Sequence, residues 1–281
     1  MLEQKEVITS RQNPTVKRVC SLLDKKGRRS EGLFRFDGIK LFGEALSKGV
    51  DVKYAILCKD APMAIKNAVE DALSEGRLSF EKLTVCSSEV FAKLSEERSP
   101  EGIITVASFM PDRHRLVLAE DAKNYSVGAG ERLLIAESLR DPGNLGTVIR
   151  SCNALGIDRL VISDDCADIY SPKVIRAAMG GLFCLRIDVI ATEELPAAIK
   201  SLRASGRAIY AAALHKEALE IGSFRLNAGD GFVIGNEGHG LSNGVIDACD
   251  ACAIIPMTEG SESLNAAAAA AICIWETVKK A

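Results

Sequence analysis

Three short segments combine polar side chains with glycine or alanine in patterns that could do chemistry. In the first, Leu139-Arg-Asp-Pro-Gly-Asn-Leu-Gly-Thr-Val-Ile-Arg150, Asp141, Pro142 and Gly143 make a turn and Asn144 stands where a helix would be capped. Leu145, Val148, Ile149, Cys152 and Leu155 then form an apolar helical stripe. At about 100° per residue Arg150 falls about 160° from the centre of that stripe, so it faces solvent, a partner or a ligand. In the second segment, Phe232-Val-Ile-Gly-Asn-Glu-Gly-His-Gly-Leu-Ser242, three glycines in a strand-to-helix loop let backbone approach a ligand closely. In the third, Ile254-Ile-Pro-Met-Thr-Glu-Gly-Ser-Glu-Ser-Leu-Asn265, Ser263 and Asn265 open a helix that begins with six alanines. Its first N–H groups are free for a polar ligand, and its small side chains permit close packing. Each segment also has an ordinary reading: a surface arginine, a tight turn, a capped buried helix. All three follow predicted strands, whose carboxyl ends are where open α/β sheets bind ligands.

Other chemistries find no support. Gly235, Gly238 and Gly240 are spaced GxxGxG rather than as the dinucleotide GxGxxG, and no GxxxxGK[ST] occurs. Cys249 and Cys252 form a CxxC without a second pair, and His114, His215 and His239 are the three histidines, so no zinc set or other metal site is expected. Covalent catalysis through an activated thiolate would need a cysteine inside these loops, and none is there.

The elements that must hold the loops read as an α/β chain. Strands are predicted at Leu33–Asp37, Tyr54–Cys58, Leu83–Cys86 and Ile103–Ser108, with helices at Lys40–Ser47, Met63–Leu73 and Glu89–Ser95. Residues 1–108 thus make a small α/β domain, and the polar, irregular stretch 109–130 reads as a linker or insertion. Residues 131–281 carry further strands at Arg132–Ala136, Leu160–Ser163, Ala208–Ala212, Gly231–Gly235 and Ala253–Pro256, separated by helical patterns, which predicts a mostly parallel sheet with helices on its faces. The 281 residues are 47% hydrophobic, enough for a core without staples. The amino terminus lacks the apolar run of a secretory signal, and the longest apolar run, Leu264 to Trp275, is too short to span a membrane, so a cytoplasmic protein with reduced, buried thiols is expected. Net charge is −3, yet Arg11 to Lys40 holds nine Lys/Arg against three acids. Such a basic segment on an acidic chain is either a solvated face or a local phosphate-binding surface.

Taken together, Asn144 with Arg150, Ile234–Ser242 and Ile254–Ile272 resemble the three ordered motifs of SpoU/TrmH-type RNA ribose 2′-O-methyltransferases, members of the SPOUT superfamily. Ser171–Gly180 resembles this family as well. Ile8–Pro14 and Gly32–Gly38 are similar to its small RNA-binding domain, which has a ribosomal-protein-like fold. The resemblance implies a SPOUT-type α/β fold with a deep carboxyl-terminal trefoil knot, S-adenosylmethionine as methyl donor, a homodimer and an RNA partner. It implies a cofactor pocket of Ala213, Leu214, Gly235, Asn236, Glu237, Gly238, Ile255, Pro256, Met257, Ser263, Leu264 and Asn265. It implies catalytic roles for Arg150, Asn144, Glu237, Ser263 and Asn265, and RNA contacts from Arg11, Asn13, Lys17, Arg18, Lys25, Lys26, Arg28, Arg29 and Arg35. The extra domain favours 23S ribosomal RNA as substrate; transfer RNA, or a silent RNA-binding assembly factor, is the alternative. Two positions depart from the family pattern: Asn265 is followed by Ala266 and Ala267 where Val-Ser is common, and Asp37 stands where Glu is common. His239, inside the second motif, reads as a surface loop residue.

Overall fold

The computed structural model describes residues 2–215, 217–258 and 263–279. In chain order its elements begin with β1 (Val7–Ile8), α1 (Pro14–Ser21), α2 (Lys25–Glu31), β2 (Leu33–Asp37), α3 (Ile39–Ser47), β3 (Val52–Cys58), α4 (Met63–Ser74), β4 (Leu83–Cys86), α5 (Ser88–Leu94) and β5 (Ile103–Ser108). They continue with β6 (His114–Val117), α6 (Ala119–Ala122), β7 (Leu133–Ala136), α7 (Pro142–Leu155), β8 (Arg159–Ser163), α8 (Pro172–Ala178) and β9 (Arg186–Ile190). The last are α9 (Leu195–Ala204), β10 (Ile209–Ala212), β11 (Leu219–Glu220), β12 (Gly231–Ile234), α10 (Asn243–Ala248), β13 (Ala251–Ile254) and α11 (Ala266–Val278). Two compact units result: Met1–Met110 with Tyr170–Phe183, and Pro111–Ile169 with Cys184–Ala281.

The first unit is built on a sheet of order β1-β4-β3-β5-β2, in which β5 runs antiparallel to β3 and β2. Its β2 is buried on both faces: Phe34, Arg35 and Phe36 are each at most 1% exposed. The phenylalanines need a cover, and 170–183 supplies it. The Tyr170 ring stacks on Phe109 at 4.2 Å and leans on Phe34 at 4.8 Å, while Phe183 meets Phe36 at 5.3 Å. Met110 N–H donates to the Tyr170 hydroxyl at 2.8 Å, and α8 packs on β2. The sequence-expected boundary at 108 therefore leaves out a segment 60 residues downstream that completes this core, because apolar pattern records that Phe34 must be covered but not by what.

A fragment ending at Met110 lacks Tyr170, Val174, Ile175, Ala178 and Phe183, all buried. Each uncovered apolar side chain forfeits roughly 1.5–3 kcal/mol, against a total of roughly 5–15 kcal/mol for a domain. The fragment is expected to lose its cooperative thermal transition, and a sharp melt by near-ultraviolet circular dichroism would show that β2 needs no cover.

The second unit is an eight-stranded sheet of order β11-β13-β10-β12-β7-β8-β9-β6, parallel throughout. Leu133, Ile135, Val161, Ile209, Ala211 and Val233 point to one face and pack with α9 and α10. On the other face α7 and α11 pack together and α11 lies on β12. Chain leaving β7 thus goes to one face and chain leaving β12, its neighbour, to the other. That reversal makes the carboxyl ends of these two strands a topological switch point, the usual ligand position in such sheets.

Four strands escape the sequence pattern, the two-residue β1 and β11 and the longer β9 and β6. In β9, Arg186 and Asp188 interrupt the apolar run, and Asp188, 1% exposed, is satisfied by the Tyr125 hydroxyl at 2.6 Å and by Arg159 at 2.9 Å. In β6, within the expected linker, Arg115 reaches the same carboxylate at 3.2 Å. Residues 109–130 are consequently not a free linker: β6 is the edge strand of the sheet, and Val117, Ala122 and Tyr125 join its core.

Candidate active site

The loops after β7, β12 and β13 carry the three motifs at this end of the sheet, next to the end of β10. After β7, Asp141 caps α7, its Oδ1 accepting from Asn144 N–H at 2.8 Å, and Pro142 takes the first helical position. Asn144 is therefore not the cap, as its residue type suggested, but lies in the first turn with its amide free for other partners. After β12, the loop folds on itself through paired backbone bonds between Asn236 and Gly240, while Asn236 Oδ1 accepts from the N–H groups of Gly238 at 2.8 Å and His239 at 3.2 Å. Gly235 is required by this closure, since a Cβ there would lie 2.5 Å from the Gly240 carbonyl carbon. The third strand ends at Ile254 rather than Pro256, which leaves Ile255, Pro256 and Met257 in the loop. Residues 259–262 of the third motif fall outside the described residues.

A relay of amides joins the three motifs. Asn265 caps α11, its Oδ1 accepting from Ala267 N–H at 3.0 Å and Ala268 N–H at 3.3 Å. Its Nδ2 must then point the other way, and it donates to Asn144 Oδ1 at 3.0 Å. That in turn commits Asn144 Nδ2, which donates to Glu237 Oε1. The helix start thus dictates, through two side chains, which way the exposed Glu237 carboxylate is held.

Beside the relay lies a cavity of about 440 Å³, within the range of small-molecule sites. Of the residues expected in a pocket, Ala213, Leu214, Gly235, Asn236, Glu237, Ile255, Met257, Ser263 and Leu264 line it. Gly238, Pro256 and Asn265 do not; Gly238 is spent on the turn and Asn265 on the cap. His239, an exposed loop residue as expected, also lines it. Ala212, Ile234, Gly240, Leu241, Ile246, Ala253, Ile254, Ala266 and Ala269 complete the wall; these small and apolar residues carry no sequence signal beyond being core. Leu214, 75% exposed, and the exposed Met257 and Leu264 offer apolar surface to an occupant. Arg150 is exposed on α7 as its helical phase predicts, and lies outside the cavity lining.

A residue family model described as the SpoU rRNA Methylase family matches residues 131–275. The chain belongs to the SpoU rRNA methylase family. The Bacillus subtilis 23S rRNA (guanosine(2553)-2′-O)-methyltransferase is 30% identical over 95% of this chain and 97% of its own length. The 23S rRNA (uridine(2479)-2′-O)-methyltransferase of Streptomyces viridochromogenes is 28% identical over 97% and 92%. The crystal structure of an AdoMet-bound rRNA methyltransferase from Sinorhizobium meliloti superposes with a TM-score of 0.79 at 25% identity, covering 98% of this chain and 97% of that one.

An MRM3-like substrate binding domain model matches residues 13–105 of this SpoU family chain. Of the basic residues expected to meet RNA there, Arg11, Lys17, Arg18, Lys25, Lys26 and Arg29 are exposed, with Arg18 paired to Glu31 at 2.7 Å. Arg28 and Arg35 are corrections. Arg28 is buried and donates to the carbonyls of Leu22 and Leu23. Arg35 donates to the Leu94 carbonyl at 2.6 Å and pairs with Asp37 at 2.7 Å, which also accepts from Ser95. Both guanidiniums are structural, and the Asp at 37 has a structural use. Asn13 is the cap of α1, accepting from Thr15 N–H at 2.8 Å.

Sequence reasoning missed a polar cluster under the loop after β7. Asp165 accepts from Ser138, Ser163, Arg140 and Thr192. Burial pushes its carboxyl up, but these four donors outweigh burial and hold it at about 2. A depressed carboxylate stabilises the fold above its unfolded value and stops doing so as pH falls through its folded one. Asp165→Asn is therefore expected to flatten the loss of thermal stability between pH 3.8 and about 2, and an unchanged acid limb would assign that loss to other groups. The cysteines play no such part: none lines the cavity, and burial pushes the Cys249 and Cys273 thiols up to about 12. Among the described residues no cluster of His, Cys, Asp and Glu could hold a metal, and no helix is long and apolar enough to cross a membrane.

Proposed function

We propose that this protein transfers the methyl of S-adenosylmethionine to a ribose 2′-hydroxyl of RNA, with 23S ribosomal RNA as substrate. The observation that carries the reading is the relay from α11 through Asn265 and Asn144 to Glu237, at the edge of an apolar cavity of about 440 Å³. The cavity fits the methyl donor: alanine, isoleucine and leucine walls suit a flat purine, and Asn236, Glu237, His239 and Ser263 supply polar contacts. When bound, the donor supplies an electrophilic methyl on a sulfonium centre.

The chain's own task is to place a poor nucleophile and ease removal of its proton. A guanidinium is a poor general base; the part of Arg150 is to bind the phosphate beside the target ribose and orient the hydroxyl, with the proton passing to water or phosphate. Asn144 and Asn265 hold Glu237, and Ser263 lines the cavity wall. The implied knot belongs to this reading, supported by the return of α11 onto β12 after β13 has paired beyond it with β10. So does the homodimer, supported by Ile272 and Trp275, which leave apolar surface on the outer face of α11, and so does a cytoplasmic location, where the RNA is.

The exposed face of α1 and α2 binds the RNA. Reversing Lys25, Lys26 and Arg29 to glutamate is expected to weaken RNA binding at least tenfold and to lower its salt dependence by about two in log–log slope, with S-adenosylmethionine affinity unchanged. Equal loss of both would sink that division of labour. The reaction itself is tested by labelled methyl transfer to total RNA from a strain lacking the gene. One alkali-resistant site in 23S RNA is expected. Label in transfer RNA would keep the chemistry and overturn the substrate, and no label with intact cofactor binding would favour a silent RNA-binding factor.

A further inference from the structure

We propose that Glu137 is a positioning residue of the reaction: a buried carboxylate at the end of β7 that clamps the β12 loop into the shape that binds the methyl donor. This rests on the reading of the cavity as an S-adenosylmethionine site. Glu137 is 3% exposed, and among the described residues its carboxylate meets no cation. Its oxygens accept instead from a single residue, Ser242, Oε2 from the N–H at 2.8 Å and Oε1 from the hydroxyl at 2.6 Å. Burying a carboxylate without a counter-charge is expensive, so a neutral residue would be preferred if filling space were its whole role.

What the carboxylate adds is polarity. Its two oxygens serve as acceptors, and Ser242 donates to them through both its N–H and its O–H. The hydroxyl oxygen is then left to accept from Val245 N–H at 3.3 Å, which caps α10. The far end of the loop is thereby fixed in place and in direction. Its near end is held by the next residue of the same strand terminus: the Ser138 carbonyl accepts from Asn236 Nδ2 at 2.9 Å. Ser138 has a φ of 57°, a left-handed conformation unfavourable for a residue with a Cβ, and it is held there by Ser163, which accepts its N–H at 2.8 Å, and by Asp165. Residues 137 and 138 grip the loop at Ser242 and Asn236, and between those grips Glu237, His239, Gly240 and Leu241 line the cavity.

Glu137→Ala, Glu137→Gln, Ser242→Ala and the Glu137→Ala/Ser242→Ala pair test this. Binding of S-adenosylmethionine is measured by calorimetry, loop order by amide hydrogen exchange without ligand, and turnover by KM and kcat. Each alanine variant is expected to weaken binding about tenfold or more, the worth of hydrogen bonds to a charged group, and the pair no more than Glu137→Ala alone. Glu137→Gln, which keeps an acceptor for the Ser242 N–H, should lose less. Amides of 236–241 should exchange faster while those of β7 and β8 keep their protection, and kcat at saturating donor should stay within about threefold. Unchanged affinity in every variant of a protein that binds the donor, or exchange that rises across the whole sheet, would overturn the clamp. Should Glu137→Ala fail to fold, Ser242→Ala, on the exposed side of the contact, carries the same test. A wild-type protein that does not bind S-adenosylmethionine would overturn the functional reading instead, and the exchange pattern would still decide whether Glu137 orders the loop.

Discussion

Arg150→Ala is expected to leave folding and S-adenosylmethionine affinity unchanged and to lower methyl transfer roughly a hundred- to a thousandfold, the usual loss when a group that positions charge at the reacting centre is removed. The side chain is exposed on α7, on the side opposite Leu145, Val148, Ile149 and Cys152, all of which are buried. Truncating it removes no core contact and breaks no ion pair among the described residues, so thermal stability should stay within about 0.5 kcal/mol, as for other surface substitutions. Because the residue lies outside the cavity lining, donor binding should be untouched. The measurement is single-turnover methyl transfer beside a calorimetric titration. Arg150→Lys separates two roles: a point charge restores phosphate attraction but not the planar fork, so partial recovery is expected. A fully active alanine variant would remove Arg150 from the mechanism.

Gly235→Ala acts on the other side of the reaction, and the expected result is loss of donor binding by about a hundredfold with a fall in stability of about 1–3 kcal/mol, the range for forcing a methyl into packed space. An alanine Cβ at this position would lie 2.5 Å from the carbonyl carbon and 2.6 Å from the oxygen of Gly240, and 2.7 Å from Leu241 N. All three are backbone atoms, so no side-chain rotation relieves the clash. The loop must open, and with it go the paired Asn236 and Gly240 bonds and the direction of Glu237. Donor affinity within a few-fold of wild type would mean that the wall tolerates an open loop. Gly238→Ala is the control: its nearest neighbour to a new Cβ is Asn236 Oδ1 at 3.4 Å, ordinary contact distance, so its effect should be small.

Some of this was legible without coordinates. The stripe from Leu145 to Leu155 put Arg150 on the outer face of α7, and the structure agrees, because helical phase depends on local spacing alone. The strands Leu33–Asp37, Leu83–Cys86 and Ile103–Ser108 fall where alternation and turn residues placed them. Charge did less well: Arg28 and Arg35 counted towards a basic surface, yet each is buried on main-chain carbonyls, Arg28 on those of Leu22 and Leu23 just upstream and Arg35 on that of the remote Leu94. A guanidinium in sequence carries no mark of whether its partner will be a phosphate or a main-chain oxygen.

By itself the sequence determined the chemistry on offer, an ordered set of Asn144, Arg150, Glu237, Ser263 and Asn265 after strand ends, and the family to which that order belongs. Tertiary structure alone decided which of those groups meet. The amide relay spans contacts of 93 and 121 residues, and the Glu137 contact with Ser242 spans 105; it also decided that 170–183 completes the first unit. The physical reason is range. Propensity, capping and periodicity act within a turn or two of chain, whereas a buried carboxylate or an uncovered phenylalanine is satisfied by whatever the folded backbone brings within about 3–5 Å, and no local pattern encodes that.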